Sequence, residues 1–160
     1  TQLPESYPVY TNRGASGIDG LLATAAGIGI GSNKPVVAVI GDTSTLYDLN
    51  SFALFKNVMQ PTVIFVINNN GGAIFDMLPV DEQVKDQFYR LPHNGDFSQI
   101  AAMLDLKYAH PYTWADLNSV VKQAYSRRKA TLIEIKTNPS DGSSLYKRLI
   151  EQISHAVIGA

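Results

Sequence analysis

The sequence predicts an α/β domain of three layers, α/β/α, around a mostly parallel central sheet. Two observations carry that expectation. Short apolar, β-branched runs alternate with amphipathic stretches along the chain, which is how the strands and crossover helices of a parallel sheet read in sequence. The chain's 160 residues, 45% hydrophobic and 17% charged, also suit one domain, or two small ones, able to bury roughly 70% of the unfolded-chain surface and ordinary in composition.

The elements follow in order. Val9-Tyr10-Thr11 reads as a short first strand running into a loop over 12–17. Residues 18–27 are small and apolar on nearly all sides, as in a buried helix. Gly27-Ile28-Gly29-Ile30-Gly31 reads as that helix's terminus with glycine caps. It is not a dinucleotide loop: the spacing is not G-x-G-x-x-G, and it falls between a helix and a strand, the reverse of the required order. Residues 36–40 form the next strand, followed by a helix across 46–58 and a third strand over 62–67, entered through Pro61. The stretch 71–94, with Gly-Gly and two prolines and little periodicity, is a long loop, and such loops are usually functional or mobile. Asp96 caps a helix reaching Leu104, with Phe97, Ile100, Ala101 and Leu104 on one face. Thr113-Trp114-Ala115-Asp116 is a capping box opening a helix that turns Trp114, Leu117, Val121 and Ala124 to the core. Residues 130–136 are the last strand, and Leu145, Leu149 and Ile153 mark a terminal helix.

Bulk properties exclude several functions. A formal net charge of −1 gives no electrostatic case for nucleic acid or an anionic membrane, and Arg127-Arg128-Lys129 reads as a solvated turn. Zero cysteines exclude disulfides, thiolate metal sites and a cysteine nucleophile, and fit a reducing cytoplasm. No apolar run approaches the ~20 residues of a membrane-spanning helix. The chain opens on Thr1, which reads as a processed or excised piece of something longer.

The chemistry concentrates at two strand ends. Asp42 follows the strand over 36–40 and Gly41, and Asn69 sits in the triplet Asn68-Asn69-Asn70 that ends the strand over 62–67. In parallel α/β sheets ligands gather outside the carboxyl ends of strands, where a helix N-terminus favours anions. Thr43-Ser44 opens the next helix there with N–H groups and hydroxyls. A carboxylate from Asp42, an amide oxygen from Asn69 and the carbonyl of Gly71 make an oxygen set for Mg²⁺, which takes few protein ligands alongside phosphate oxygens and water. The plainer alternative makes Asp42 a helix cap and the triplet a turn. The three histidines, His93, His110 and His155, are scattered without metal-ligand spacing and read as structural or surface residues.

The Gly41-Asp42…Asn68-Asn69 pattern resembles the motif of thiamine-diphosphate enzymes, with Thr43 in place of the motif's second glycine. Three segments narrow the resemblance: Asn12-Arg13-Gly14-Ala15-Ser16-Gly17-Ile18-Asp19-Gly20, Tyr47-Asp48-Leu49-Asn50, and Asn68-Asn69-Asn70-Gly71-Gly72-Ala73-Ile74-Phe75. Together they are similar to the 2-succinyl-5-enolpyruvyl-6-hydroxy-3-cyclohexene-1-carboxylate synthases of menaquinone biosynthesis, in which a residue other than Gly after the Asp is usual. The resemblance runs from about Tyr7 to Ser154 and implies the thiamine-diphosphate-binding fold. On it, residues 1–160 are the C-terminal, diphosphate-binding domain of a multi-domain, homo-oligomeric cytoplasmic transferase. It further implies that Gly41, Asp42, Thr43, Ser44, Asn69 and Gly71 hold the diphosphate through Mg²⁺ (or Mn²⁺), with Asp42, Asn69 and the Gly71 carbonyl as metal ligands. Ile18 is then the wedge that bends the cofactor, and otherwise a core residue. Arg13 would grip a substrate carboxylate, as a guanidinium does bidentately, or else pair with a loop carboxylate such as Asp19. Ser16 is a weaker substrate contact, or a turn serine bonded to backbone. Ile74, Phe75 and Leu78 would form an apolar wall facing the ring substrate, or dock on another domain.

The reaction so implied decarboxylates 2-oxoglutarate and adds the acyl carbanion to isochorismate. An acetolactate-synthase-like carboligase or decarboxylase, or a non-catalytic nucleotide-binding module, are the competing readings. The family's activating glutamate belongs to another domain, supplied by a second subunit. None of Glu5, Glu82, Glu134 and Glu151 occurs in a matching context, so no catalytic residue is expected in this chain. The expected outcome is that the 160-residue chain alone gives no turnover of 2-oxoglutarate with isochorismate, whereas the full-length protein does. Release of CO₂ measures it, and turnover by the isolated chain would overturn the assignment.

Overall fold

A computed structural model describes residues 7–12 and 17–158, with side chains as far as 154. Strands β1 (Val36–Gly41), β2 (Thr62–Asn68), β3 (Lys107–Ala109) and β4 (Ala130–Lys136) make one sheet in the order β1-β2-β4-β3, parallel at every pairing. The helices are α1 (Leu21–Ser32), α2 (Asp42–Tyr47), α3 (Glu82–Lys85), α4 (Ser98–Met103), α5 (Trp114–Tyr125) and α6 (Pro139–Ile158). On one face of the sheet Leu22, Ala26, Phe52, Phe55 and Phe97 pack onto Ile40, Ile64, Val66 and Leu132. On the other, Ala124, Leu117, Val120 and Val121 of α5 cover Val63 and Ile133. The expected three-layer α/β/α architecture is therefore what forms. β2 and β4 read as nearly continuous apolar runs because both of their faces are covered.

The β1–β2 register positions everything that follows. Val36 pairs with Thr62 and Gly41 with Ile67, so the two strands end side by side. Asp42 and the Asn68–Asn70 turn then emerge at the same edge of the sheet.

Several local expectations give way to tertiary contacts. Residues 9–11 are not a strand; Val9 and Tyr10 are exposed, and no strand lies along the outer edge of β1 among the described residues. Helix α1 runs to Ser32, through the glycine run, and stops at Asn33 with a left-handed φ of 52°. Gly29 of that run allows close packing rather than capping. A Cβ on Gly29 would come within 2.9 Å of Val58 Cγ1, so only a bare backbone lets the helix rest there.

The helix expected over 46–58 is two pieces. α2 begins at Asp42 and ends at Tyr47, and a 3₁₀ stretch, Leu49–Asn57, follows. The break falls at Asp48, whose carboxylate is engaged elsewhere. Its Oδ2 accepts from Leu22 N at 2.6 Å and its Oδ1 from Ser51 Oγ at 2.5 Å. It thereby satisfies a free amide at the start of α1, where Gly20 offers no side-chain cap.

β3 is too short and polar to stand out in sequence, and only its pairing with β4 makes it a strand. The 71–94 segment is not structureless: it holds a 3₁₀ turn (Ala73–Met77), α3 and a π turn (Asp86–Arg90). α4 starts at Ser98, with Phe97 in the cap position and Asp96 Oδ1 accepting from Ser98 N at 2.9 Å. The Thr113/Asp116 capping box forms as expected, but Trp114 is 85% exposed. At the first helical position it points away from the stripe that faces the sheet.

A buried carboxylate ties three elements together. Glu134, in the middle of β4, is fully buried. It accepts from Asn68 Nδ2 at 2.6 Å, Tyr108 Oη at 2.6 Å and Phe97 N at 3.1 Å. Burial, and then the bond to Glu134, push the Tyr108 phenol above its ordinary pKa. Desolvating a carboxylate costs several kcal/mol, and three hydrogen bonds to a charged group, at about 1.5–3 kcal/mol each, offset it. Glu134→Ala leaves those donors unpaired and is expected to destabilise the fold by about 3–5 kcal/mol in urea denaturation. Glu134→Gln, which keeps an acceptor, costs less.

Candidate functional site

The site forms where β1 and β2 end. Asp42, the first residue of α2, is 2% exposed, and every contact of its carboxylate comes from the surrounding turns. Oδ1 accepts from Thr43 N at 2.7 Å. Oδ2 accepts from Gly71 N at 2.8 Å and lies 3.0 Å from His93 Nε2. The Thr43 N–H, expected to be free for a ligand, is thus taken by Asp42 itself, and α2 is a helix of only six residues. Thr45 Oγ1 donates to Gly41 O at 2.8 Å and pins the strand-to-helix junction.

The β2 end is shaped by Asn68. Its Oδ1 accepts from Asn70 N at 2.9 Å, while its Nδ2 donates to Glu134 and to Gly95 O at 3.2 Å. Asn70 then adopts φ 65° and Gly71 φ 119°, which carries the chain back across Asp42. A Cβ on Gly71 would sit 2.3 Å from Arg90 O, and one on Gly72 2.3 Å from Tyr89 O. Both glycines are required by close approach to the 89–91 backbone, where Gly72 N donates to Arg90 O at 2.7 Å.

The Asn69 side chain closes the set. With its nitrogen turned inward, its amide donates to Gly71 O at 2.7 Å and Asp42 Oδ1 at 3.3 Å. With its oxygen inward, three oxygens converge from a carboxylate, an amide and a carbonyl, an arrangement that a cation relieves. A hard cation such as Mg²⁺ takes oxygen ligands of these three kinds. Among the described residues no three His, Cys, Asp or Glu side chains gather as a metal site. The cluster here is one carboxylate with neutral oxygens, which suits a hard cation shared with phosphate.

A family model described as "Thiamine pyrophosphate enzyme, C-terminal TPP binding domain" matches residues 3–135. The chain belongs to this family of thiamine pyrophosphate enzymes. It is 99% identical over all 160 residues to a 2-succinyl-5-enolpyruvyl-6-hydroxy-3-cyclohexene-1-carboxylate synthase of Haemophilus influenzae (strain PittEE). It is 77% identical over 159 residues, 99% of the chain, to the synthase of that name from Mannheimia succiniciproducens. In both cases it spans 28% of the relative's length. The crystal structure of benzoylformate decarboxylase from Polynucleobacter necessarius superposes with a TM-score of 0.65 at 20% identity, covering 74% of this chain and 23% of that one. That is a likeness of fold.

In this thiamine pyrophosphate-binding domain, Asp42, Asn69 and Gly71 meet at one point, with Gly41 at the end of β1 before them and Thr43 and Ser44 on the turn of helix that follows. Ile18 lies in the lead-in to α1, 40% exposed, rather than in the core. Arg13 and Ser16 lie outside the described residues, as does the His155 side chain. Ile74 is 65% exposed, and Phe75 and Leu78 are about half as exposed. Phe75 leans on Tyr89 with ring centroids 5.3 Å apart.

That apolar group rides on a segment held by ions. Arg90 bonds Asp76 at 2.6 Å and Glu82 at 2.7 Å, and also Asp86; Lys85 bonds Glu82 at 2.9 Å. The hydrogen bonds that Arg90 donates to Asp86, Glu82 and Asp76 raise its pKa. Those from Lys85, then Arg90, hold Glu82 down at about 2 instead of 4.5. The contribution of Glu82 to stability is therefore complete above pH 4.5 and fades as pH falls toward 2. A cavity of about 260 Å³ opens between this segment and Asn69, Asn70 and Ala73.

Asp42, Asn69 and Gly71, singled out from the sequence, lie together at the end of β1 and β2, whereas the parts of Asn68, Glu134 and His93 have no local signal because their partners are far along the chain. The Gly-Gly pair was the one local signal that 71–72 runs against another backbone. Gly71→Ala meets both the left-handed φ and the Arg90 carbonyl, and is expected to cost at least ~2 kcal/mol of stability. Thermal denaturation with and without Mg²⁺ measures it, and a wild-type melting temperature would count against this packing.

Proposed function

We propose that this domain anchors the diphosphate of thiamine diphosphate through Mg²⁺ (or Mn²⁺) held by Asp42 Oδ1, the Asn69 amide oxygen and the Gly71 carbonyl. The Asn69 amide standing between the Asp42 carboxylate and the Gly71 carbonyl, at the joint end of β1 and β2, is the observation that supports the reading. Gly41, Thr43 and Ser44 line the approach of the phosphates. Asn68, fixed by Glu134, aims the turn, and Thr45 fixes the junction that presents Asp42. Bound thiamine diphosphate supplies an electron sink for decarboxylation of a 2-oxo acid.

The chain is the C-terminal domain of a longer transferase, consistent with its 28% share of the relatives' length. That enzyme decarboxylates 2-oxoglutarate and joins the product to isochorismate, as the names of its near-identical relatives support. The other domains and a second subunit complete the site and supply the activating glutamate. Arg13 receives a substrate carboxylate, with Ser16 as a weaker substrate contact. Ile18 supports the cofactor from below. Ile74, Phe75 and Leu78 stay exposed in this domain because they form the apolar wall against the ring substrate.

Calorimetry on the full-length enzyme tests the anchor. Thiamine diphosphate is expected to bind only with a divalent cation. Asp42→Ala is expected to weaken binding by more than about 100-fold, beyond the 10–100-fold carried by residues that merely support a metal site. Unchanged binding by Asp42→Ala would remove the metal assignment.

A further inference from the structure

The Asp42 carboxylate has more partners than a metal ligand at a strand end needs, and one of them comes from a distant loop. Its Oδ2 is flanked by Gly71 N at 2.8 Å and His93 Nε2 at 3.0 Å. The His93 side chain is mostly buried, 16% exposed. Its other ring nitrogen is also occupied: Gly95 N donates to His93 Nδ1 at 3.1 Å. An N–H donor facing Nδ1 requires that nitrogen to be the acceptor, so the ring proton sits on Nε2 and points at Asp42 Oδ2. The two contacts together set the tautomer, which in a histidine follows from the bond its second nitrogen makes.

The ring is fixed in space as well as in tautomer. The edge of Phe97 meets it at a centroid distance of 6.1 Å and an angle of 72°. Phe97 N is bonded to buried Glu134. Gly95 O accepts from Asn68 Nδ2, so the same loop that carries His93 also holds the turn presenting Asn69. One short segment, 93–97, therefore braces both strand ends.

We propose that His93 is the positioning residue of the metal site. It donates Nε2–H to Asp42 Oδ2 and so reserves Oδ1, on the side of Asn69 and Gly71, for the cation. A carboxylate offers about four lone-pair positions over its two oxygens. Gly71 N and His93 fill those on Oδ2, and Thr43 N takes one on Oδ1, leaving a single position directed at the other two oxygens. The carboxylate is thereby held as a one-oxygen ligand at fixed rotation. Without the histidine donor Oδ2 keeps only the Gly71 N–H, the carboxylate is held less firmly, and the metal meets a less ordered site. The inference rests on the metal reading of Asp42.

The test uses the full-length enzyme and Mn²⁺ as the probe, with free Mn²⁺ followed by electron paramagnetic resonance in the presence of thiamine diphosphate. His93→Phe keeps a ring against Phe97 and removes the donor, while His93→Gln keeps an N–H donor. His93→Phe is expected to weaken Mn²⁺ binding about 10–100-fold, the range for partners that orient a metal ligand, and His93→Gln is expected to restore most of it. Wild-type Mn²⁺ affinity in His93→Phe overturns the proposal. So does an equal loss in both variants, since that would mean the ring's packing matters rather than its donor. Asp42→Asn separates the two readings. If it abolishes Mn²⁺ binding while His93→Phe binds Mn²⁺ as the wild type does, the positioning role alone fails. If Asp42→Asn binds Mn²⁺ as the wild type does, the metal reading fails and this inference falls with it.

Discussion

The buried Glu134 carboxylate is the point on which the functional end of this domain turns. It lies in a strand covered on both faces, where an unpaired charge would be prohibitive, and survives because three elements each direct a donor at it. Those elements are the end of β2, the entry to α4, and β3. Each would be loosely placed otherwise: β3 is three residues long, α4 has six, and β2 ends in a run of asparagines. Satisfying one carboxylate fixes all three at once. The Asn68 amide, held at one end by Glu134, accepts at its other end from Asn70 N and so shapes the turn that carries Asn69 and Gly71.

Asp42 does at the surface of the sheet what Glu134 does inside it. Its carboxylate gathers N–H groups from Thr43 and Gly71 and the ring of His93, so β1, the turn after β2 and the loop before α4 converge on it. The difference lies in what remains open. Glu134 is fully satisfied and is structural. Asp42 keeps one oxygen beside the Asn69 amide, which also meets the Gly71 carbonyl, and the proposed cation site rests on that arrangement. The domain thus couples a rigid, closed carboxylate to a poised one through the Asn68 side chain and the 93–97 loop. A third carboxylate, Asp48, works the same way at the start of α1, and its use there breaks the following helix into two pieces.

The apolar side chains left outside follow from the architecture. Val37 and Val39 of β1 are 48% and 69% exposed, because β1 is an edge strand covered on one face only. Ile74, Phe75 and Leu78 stand on the ion-paired segment beside the site. A chain that spans 28% of its relatives' length is expected to present surfaces that the remainder covers.

Residues and spacing alone determined the layer architecture, because alternating β-branched runs and amphipathic stretches pack stably in few ways. They placed β1, β2 and β4 within a residue or so, and the Thr113/Asp116 capping box, since those signals are local. They also made Asp42 and the asparagine triplet neighbours, because the parallel pairing of β1 with β2 brings two sequence-adjacent strand ends together. Tertiary structure decided the rest. Whether the glycine run capped α1 or packed within it depended on Val58, and where the helix after β1 broke depended on the partners of Asp48. His93 looked like one of three scattered histidines until the fold set it against Asp42, fifty-one positions earlier in the chain. Glu134 looked like an awkward charge in a strand until its donors arrived from three other elements. Periodicity and spacing report contacts between neighbours in sequence. A buried hydrogen bond between distant segments leaves no such trace, because either residue alone is chemically unremarkable until the fold brings its partner.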